Sequence, residues 1–514
     1  MSGSAVRKVE SIEVRRVGAR ETTPAGGDPR VAFYRGEYDL AAALARKLPA
    51  PEARLLQARI ALRLRRPQDA LELLARWRSA GDRRKDAERA ILLASAYERL
   101  GDAAQAAPLY DEQPPRGAVA LEHERAYSRA YGHWLRGEYE RAEHLIAEQR
   151  SGDELAHGRS ADLLGRIAVS RRDYAVAARR FEAALAAFDA MPTPDEGARV
   201  AALAGLASVA VETLAFDLHP RLVAGYERSL RTQGTKPLLF RIGRSLVLLD
   251  GLQGDDEAAF RTATVLQNQA EHTSERVLAH VTLAEFLRVR GDRTGPKLHL
   301  ELAAQALRAE PRARAGAADV TAALLYVVEA SYADPHAAAE VLARVLPAGG
   351  RSDPAAGAEQ GSHAAALVLY ARGRSALALG ETGVGAELVH AARAIWHEHG
   401  YAYRVAVLDL DLAEVFGDRG ALESARQVIA ELPPSWLLRR ADRIEKRLAS
   451  GLGNLSPAER RVLRELYAGK SNREIATALE RSESTIRNQT QRIFDVLGVN
   501  SRAALVARCI DLGL

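Results

Sequence analysis

Three observations on this 514-residue chain predict an all-α fold: a helical solenoid followed by a compact four-helix domain. Alanine, leucine, arginine and glutamate, all good helix formers, dominate throughout. Almost no run alternates β-branched and polar residues as a half-buried strand would. Turn dipeptides recur roughly every 35 residues, the period of stacked helix pairs. The one stretch that alternates, VAVLDLDLAEVF at 405 to 416, is flanked by helical pattern and is expected to be helix.

Composition narrows the class. The chain is 47% hydrophobic and 27% charged, which suits a globular protein rather than a disordered one. Its length allows several packing units. No apolar run approaches the ~20 residues of a membrane span. The opening MSGSAVRKVESIEVRR lacks the apolar stretch of a secretory signal, so a cytoplasmic location is expected. Cys509 is the only cysteine, which precludes an intramolecular disulfide. Net charge is +5, and residues 452 to 514 hold 10 Lys/Arg against 7 Asp/Glu. That end is therefore the more basic per residue, as a nucleic-acid-facing segment would be.

Residues 1–30 are expected to be a flexible segment, and 31–450 the solenoid. Gly101-Asp102, Gly137-Glu138 and Arg172-Asp173 lie 36 and 35 residues apart, each with an alanine five residues after its first member: Ala106, Ala142 and Ala177. Gly36 with Ala41 and Gly254 with Ala259 keep the spacing, and Gly380-Glu381 echoes it late. Small residues let antiparallel helices approach, while large ones fill the space between neighbouring pairs. DLLGRIAVSRRDYAVAARRFEAAL resembles a tetratricopeptide repeat, with Leu164, Gly165 and Ala168 in its first helix and Tyr174, Ala177, Phe181 and Ala184 in its second. Ala90, Leu93, Ala94, Tyr97, Gly101 and Ala106 fill the same roles earlier, and past about residue 190 the signature fades.

Solenoids hold a protein, peptide or ligand in a concave face. The candidate contact is the aromatic stripe Tyr127, Tyr131 and Trp134 at i, i+4, i+7, with core between adjacent pairs as the alternative. Arg159 and Arg166 share a face of the next helix and suit an acidic segment, or else form a solvated face.

Catalytic chemistry finds no foothold. His397 and His399, like Asp409 and Asp411, are two residues apart, about 200° on a helix, so neither pair converges on one metal. Both pairs are expected at helix ends or on the surface. HExxH, GxSxG and Cys-His clusters are absent from the sequence. The chain is read as no enzyme, with no cofactor and no metal site.

After the linker GLGN (451–454), four capped helices follow. Ser456-Pro457-Ala458-Glu459 and Ser471-Asn472-Arg473-Glu474 are capping boxes, the first with proline at the first helical position. Val462, Leu463 and Leu466 face inward in the first helix, and Ile475, Ala476 and Leu479 in the second. Ser482 caps a third helix with Ile486, Ile493 and Leu497 inward, ended by Gly498; a fourth runs from about Arg502 to Leu512. A three-residue turn between the second and third makes a helix-turn-helix.

Residues 455–514 closely resemble the LuxR-type helix-turn-helix domain of bacterial transcription regulators, matching at Glu459, Val462, Leu463, Gly469, Asn472, Glu474, Ile475, Leu479, Ser482, Thr485, Ile486, Leu497, Gly498 and Arg502. The resemblance implies double-stranded DNA as partner, with the helix from Glu483 to Leu497 in the major groove. Arg487, Asn488, Gln491 and Arg492 would then read bases, since arginine suits guanine and Asn or Gln suits adenine; Arg492 has a phosphate as its alternative. Lys470, Ser471, Asn472, Arg473 and Thr485 would hold phosphates near helix N-termini. The last helix would dimerise the chain on DNA through Leu505, Val506 and Cys509. RNA polymerase is a further partner such a regulator implies. The sequence departs from the family at Glu480 and Arg481, at Gln489 for histidine, and at Val496 for lysine. Those departures imply a looser turn and one lost phosphate contact, which Arg481 would replace.

Gly469-Lys470-Ser471 also ends like a nucleotide-binding GxxxxGK[ST] loop, but Arg464 stands at the earlier glycine and a helix precedes it. The expected function is a DNA-binding transcription regulator whose solenoid binds a controlling protein, peptide or ligand. The alternative is a non-enzymatic tetratricopeptide adaptor whose DNA-binding tail is degenerate.

Overall fold

The computed structural model describes residues 27–75, 81–148, 153–230, 236–270, 272–292, 294–309, 317–346, 363–430, 432, 435–449 and 455–511. The linker at 451–454 and residues 1–26 of the N-terminal segment lie outside them. The rest of that segment is ordered by a helix N-cap at Asp28, whose carboxylate accepts from the Arg30 amide at 2.8 Å.

The described residues form 27 α-helices, mostly in antiparallel pairs, and no strand. The pairs begin with α1 (Pro29–Tyr34) and α2 (Tyr38–Ala45), α3 (Ala50–Arg63) and α4 (Pro67–Ala75), and α5 (Arg83–Arg99) with the one-turn α6 (Ala103–Ala106). Next come α7 (Val119–Leu135) and α8 (Tyr139–Ala147), α9 (Glu154–Ser170) and α10 (Tyr174–Ala190), α11 (Glu196–Thr213) and α12 (His219–Ser229), and α13 (Lys236–Leu252) and α14 (Asp256–Gln269). The later half holds α15 (Thr273–Arg290) and α16 (Gly295–Ala309), α17 (Ala317–Ala330) and α18 (Pro335–Val345), α19 (His363–Leu379) and α20 (Thr382–Glu398), α21 (Ala402–Phe416) and α22 (Arg419–Ile429), and a single α23 (Trp436–Ala449). The last four are α24 (Pro457–Tyr467), α25 (Asn472–Ala478), α26 (Glu483–Leu497) and α27 (Arg502–Asp511).

The turn dipeptides work by one mechanism. Gly36, Gly101, Gly137, Arg172 and Gly254 all have φ between 67° and 81°, the left-handed geometry that ends one helix and reverses the chain. Five residues on, Ala41, Ala106, Ala142, Ala177 and Ala259 are each 0% exposed, pressed against the partner helix. Arg65, at φ 59°, and the fully buried Ala70 repeat the arrangement between α3 and α4. That repeat is disguised in the sequence, because arginine stands where glycine usually does. Phe181 shows why small residues line the pairs: a Cβ on Gly165 would come within 2.8 Å of its ring, and one on Gly205 within 2.5 Å.

The array curls so that distant repeats meet. Arg404 on α21 pairs with Glu212 on α11 at 3.0 Å. Tyr174 donates its hydroxyl to the His399 carbonyl, and Arg172 pairs with Glu398 at 2.9 Å. Near the start, Arg59 on α3 bonds Glu88 and Glu124, and Arg63 bonds Asp195 just before α11.

Residues 405 to 416 are helical, within α21, but Asp409 and Asp411 are not at a helix end or surface as expected. They are 1% and 0% exposed. Because α21 is enclosed on opposite sides, both carboxylates turn inward to separate arginines. Asp409 binds Arg393, while Asp411 accepts from Tyr332 (2.7 Å), Tyr370 (2.6 Å) and Arg440 (2.6 Å). His397 and His399 sit at the end of α20, as the sequence suggests.

Candidate nucleic-acid interface

The last four helices build their own small core from Leu455, Val462, Leu463, Leu466, Ile475, Ile486, Ile493, Leu497, Leu505 and Cys509. Both capping boxes form: the Ser456 amide donates to Glu459 at 2.7 Å, and the Ser471 amide to Glu474 at 2.7 Å. The Ser471 amide and hydroxyl, with the charges of Lys470 and Arg502 nearby, hold the Glu474 carboxyl below its usual range. Ser482 caps α26 by accepting from the Thr485 amide at 3.1 Å. Thr490 donates to the Ile486 carbonyl at 2.8 Å and approaches Asn472 at 3.5 Å, tying α26 to α25.

The turn between α25 and α26 is not loosened by its two charged residues. Glu480 has φ 52° and faces solvent, and the Arg481 amide donates to the Ala476 carbonyl at 2.9 Å. Leu479 covers the core at this corner, so neither following position needs an apolar side chain.

On α26, Arg487, Asn488 and Gln491 are exposed along one outward face. Arg487 lies 3.5 Å from Glu483, and Gln491 donates to Asp495 at 3.0 Å. Arg492 differs from these three, for it reaches back to Glu459 of α24 at 2.9 Å and braces the first capping box. Around the turn, Ser471, Arg473, Arg481 and Thr485 are exposed and Asn472 is half-buried. Lys470 is exposed beside Glu465, 2.5 Å from its carboxylate. Arg502 donates to the Leu466 carbonyl at 2.8 Å and to the Lys470 carbonyl, closing the end of α24. Its position in the sequence matches the family, but this clamp was not legible there.

The expected dimer residues need correction. Leu505 and Cys509 are 0% exposed and belong to the monomer's core, so they present no face to a second chain. Burial also raises the Cys509 thiol pKa. The outward stripe of α27 is Ala503, Val506, Ala507 and Ile510, at i, i+3, i+4, i+7, with Val506 half-buried and Ile510 61% exposed. The helical period was visible in the sequence; which of two stripes faces the core was not.

In the solenoid, the aromatic stripe and the two arginines do come together. Tyr131 lies 6.1 Å from Tyr127 and 5.3 Å from Trp134, ring to ring. The Arg159 guanidinium lies 5.8 Å from the Tyr127 ring and that of Arg166 5.7 Å from Trp134. Arg166 also pairs with Asp162 at 2.8 Å. The three rings are half-buried and touch a small core cluster, so they are partly core and partly open. Among the described residues no helix is long and apolar enough to cross a membrane, and no three His, Cys, Asp or Glu side chains gather around a possible metal.

The repeat array of helix pairs thus ends in a compact four-helix domain with helix-turn-helix geometry. Residues 453–509 match the family described as bacterial regulatory proteins, luxR family, so the C-terminal end carries a LuxR-type helix-turn-helix domain. That domain supports assigning the chain to the DNA-binding transcription regulators. No curated protein matches the chain. Among solved structures, the crystal structure of the apo form of RapI is similar at 12% identity and TM-score 0.33, covering 81% of this chain and 99% of that one.

Proposed function

We propose that this protein is a sequence-specific, non-enzymatic transcription regulator, with a solenoid from 31 to 450 that takes a controlling partner and a DNA reader from 455 to 514. The observation that carries the reading is the LuxR-type match over 453–509, with Arg487, Asn488 and Gln491 outward on α26. These three side chains read base edges in the major groove. Lys470, Ser471, Asn472, Arg473, Arg481 and Thr485 meet the phosphates flanking it, and Arg492 orients the reading helix through Glu459. A second copy pairs through Ala503, Val506, Ala507 and Ile510, matching a two-fold operator.

Selection of bound duplexes by the full chain, followed by salt titration on the selected site, tests this. The expected result is an enriched motif and a steep negative slope of log affinity against log salt. Arg487→Ala should weaken the selected site by about 1–3 kcal/mol and relax one base position. Absence of duplex binding at low salt by a confirmed dimer would favour a scaffold role instead.

A further inference from the structure

The first helices of successive pairs, α13, α15, α17, α19 and α21, turn side chains to the inside of the array. The single helix α23 meets α13, α15 and α21 there. Between them is a cleft of about 510 Å³, counted out to its mouth on solvent. Its apolar wall comes from Leu325, Val328, Leu367 and Val407, with the rings of Tyr403 and Trp436 6.3 Å apart. Each guanidinium in the wall has a carboxylate beside it. Arg288 holds Glu329 through two bonds, at 2.8 and 3.0 Å, and Arg440 lies 2.6 Å from Asp411. Arg244 lies 2.6 Å from Glu285, and Arg404 3.0 Å from Glu212. A ligand of one sign would therefore leave an uncompensated charge in the cleft.

Two of these groups keep unused bonding capacity. Arg404 bonds Glu212 through Nε alone, at 3.0 and 3.3 Å, and among the described residues its two Nη groups bond nothing. A guanidinium fork accommodates both oxygens of a carboxylate. Glu285 is the converse case. Arg244 lies out of line with it, so Glu285 Oε2 is buried yet accepts no hydrogen bond. Glu285 Oε1 takes a long bond, 3.4 Å, from the Tyr403 hydroxyl. A buried acceptor in that state calls for a donor.

We infer that this cleft binds a free α-amino acid with an apolar side chain, its carboxylate on the Arg404 fork and its ammonium on Glu285. The inference rests on the reading above that the solenoid takes a controlling partner, and names that partner's chemistry. A zwitterion adds one charge of each sign, so the balance of the wall is kept. Its apolar side chain packs on Tyr403 and Trp436, as small-molecule sites combine apolar walls with a few convergent polar groups. An internal peptide segment carries neither terminal charge and so satisfies neither group. Trp436 opens α23, which ends at Ala449, eight positions before α24 of the DNA-binding domain begins at Pro457. The ligand thus touches the helix that leads into the reader.

The test adds each common α-amino acid to the full-length chain, follows thermal melting, and titrates by calorimetry those that stabilise it. The expected result is saturable binding of one or more with apolar side chains. The matching amine and the matching carboxylic acid, each with a single charge, should bind about tenfold or more weakly. Glu285→Gln and Arg404→Lys, which keep size or charge but lose the acceptor or the fork, should weaken the amino acid by a similar factor. Val407→Phe fills the cleft without touching either group and should abolish binding. Melting of the unliganded variants reports on their folding separately. No binding by any amino acid, or parental affinity in all three folded variants, would overturn the inference. So would equal binding of the amine or the acid, or tighter binding of a dipeptide. Duplex binding, measured on the same preparations, reports separately on the regulator reading: its failure would leave amino-acid capture standing, and the reverse holds too.

Discussion

Arg460 of the DNA-binding domain donates to the backbone carbonyl of Glu414 at 2.8 Å, capping the last turn of α21 in the solenoid. The same guanidinium reaches the Val415 carbonyl, and its neighbour Arg461 lies against the turn at Gly380. A helix C-terminus carries unsatisfied carbonyls and partial negative charge, which is why an arginine is held there. Burial and the nearby Arg447 nevertheless push the Arg460 guanidinium down to about 10. Since α21 also carries Asp411 and Glu414, one helix joins the solenoid's buried charges to the DNA-binding domain.

Arg460→Ala should therefore loosen this joint at a cost of about 1–3 kcal/mol, the worth of charge-assisted bonds. Hydrogen exchange should speed up in the last turn of α21 while the core of α26 stays protected. Unchanged exchange there would mean that the contact contributes nothing in solution.

Asp411 is an anchor of the solenoid's later half. Burial alone would raise its pKa, but Arg374 and Arg440, with the bond from Tyr370, hold it at about 2. Glu414 is likewise held at about 2 by Arg440 and Arg447. Both lie below the ordinary values near 4, so their stabilisation is complete above about pH 5 and is lost as pH falls toward 2. Glu212 works in the opposite sense, because its burial outweighs Arg404 and raises its pKa. Asp411→Asn should cost about 3–5 kcal/mol near neutrality, by leaving Arg374 and Arg440 underpaired, and should flatten the acid limb of a stability–pH curve. An unaltered acid limb would transfer the anchoring role elsewhere.

Glu480 bears the strain of the turn that joins α25 to α26. At φ 52° a side chain is disfavoured, and this one is exposed to solvent. Glu480→Gly should stabilise the domain by about 0.5–1 kcal/mol, with DNA sequence preference unchanged. Thermal melting of the variant, alongside duplex selection, measures both halves of that statement.

Leu505 and Ile510 should respond in opposite ways. Leu505→Ala empties a core position and should destabilise the domain by about 2–5 kcal/mol. Ile510→Asp alters only an exposed face and should leave melting unchanged while abolishing paired occupancy of a two-fold site. Sedimentation with operator DNA separates the two; an Ile510→Asp protein that still pairs would move the dimer face off α27.

The sequence by itself determined the elements whose signals are local. Capping residues at Ser456, Ser471 and Ser482, left-handed turns at Gly101 and Gly137, and buried alanines five residues later depend on contacts within one or two helices. The helix-turn-helix was legible for that reason, as was the outward face of α26. Orientation of α27 escaped because two apolar stripes fit its period, and packing against α24 and α26 chose Leu505 and Cys509 for the core. Asp409 and Asp411 escaped because helical spacing reports their angle but not that α21 is walled on both sides. Only the tertiary structure decided what α3, α11 and α21 do for one another. Their meeting depends on the summed rotation of many helix pairs, a quantity no short stretch of residues encodes. That rotation sets Arg404 against Glu212 and Arg63 against Asp195, partners 192 and 132 residues apart in the chain.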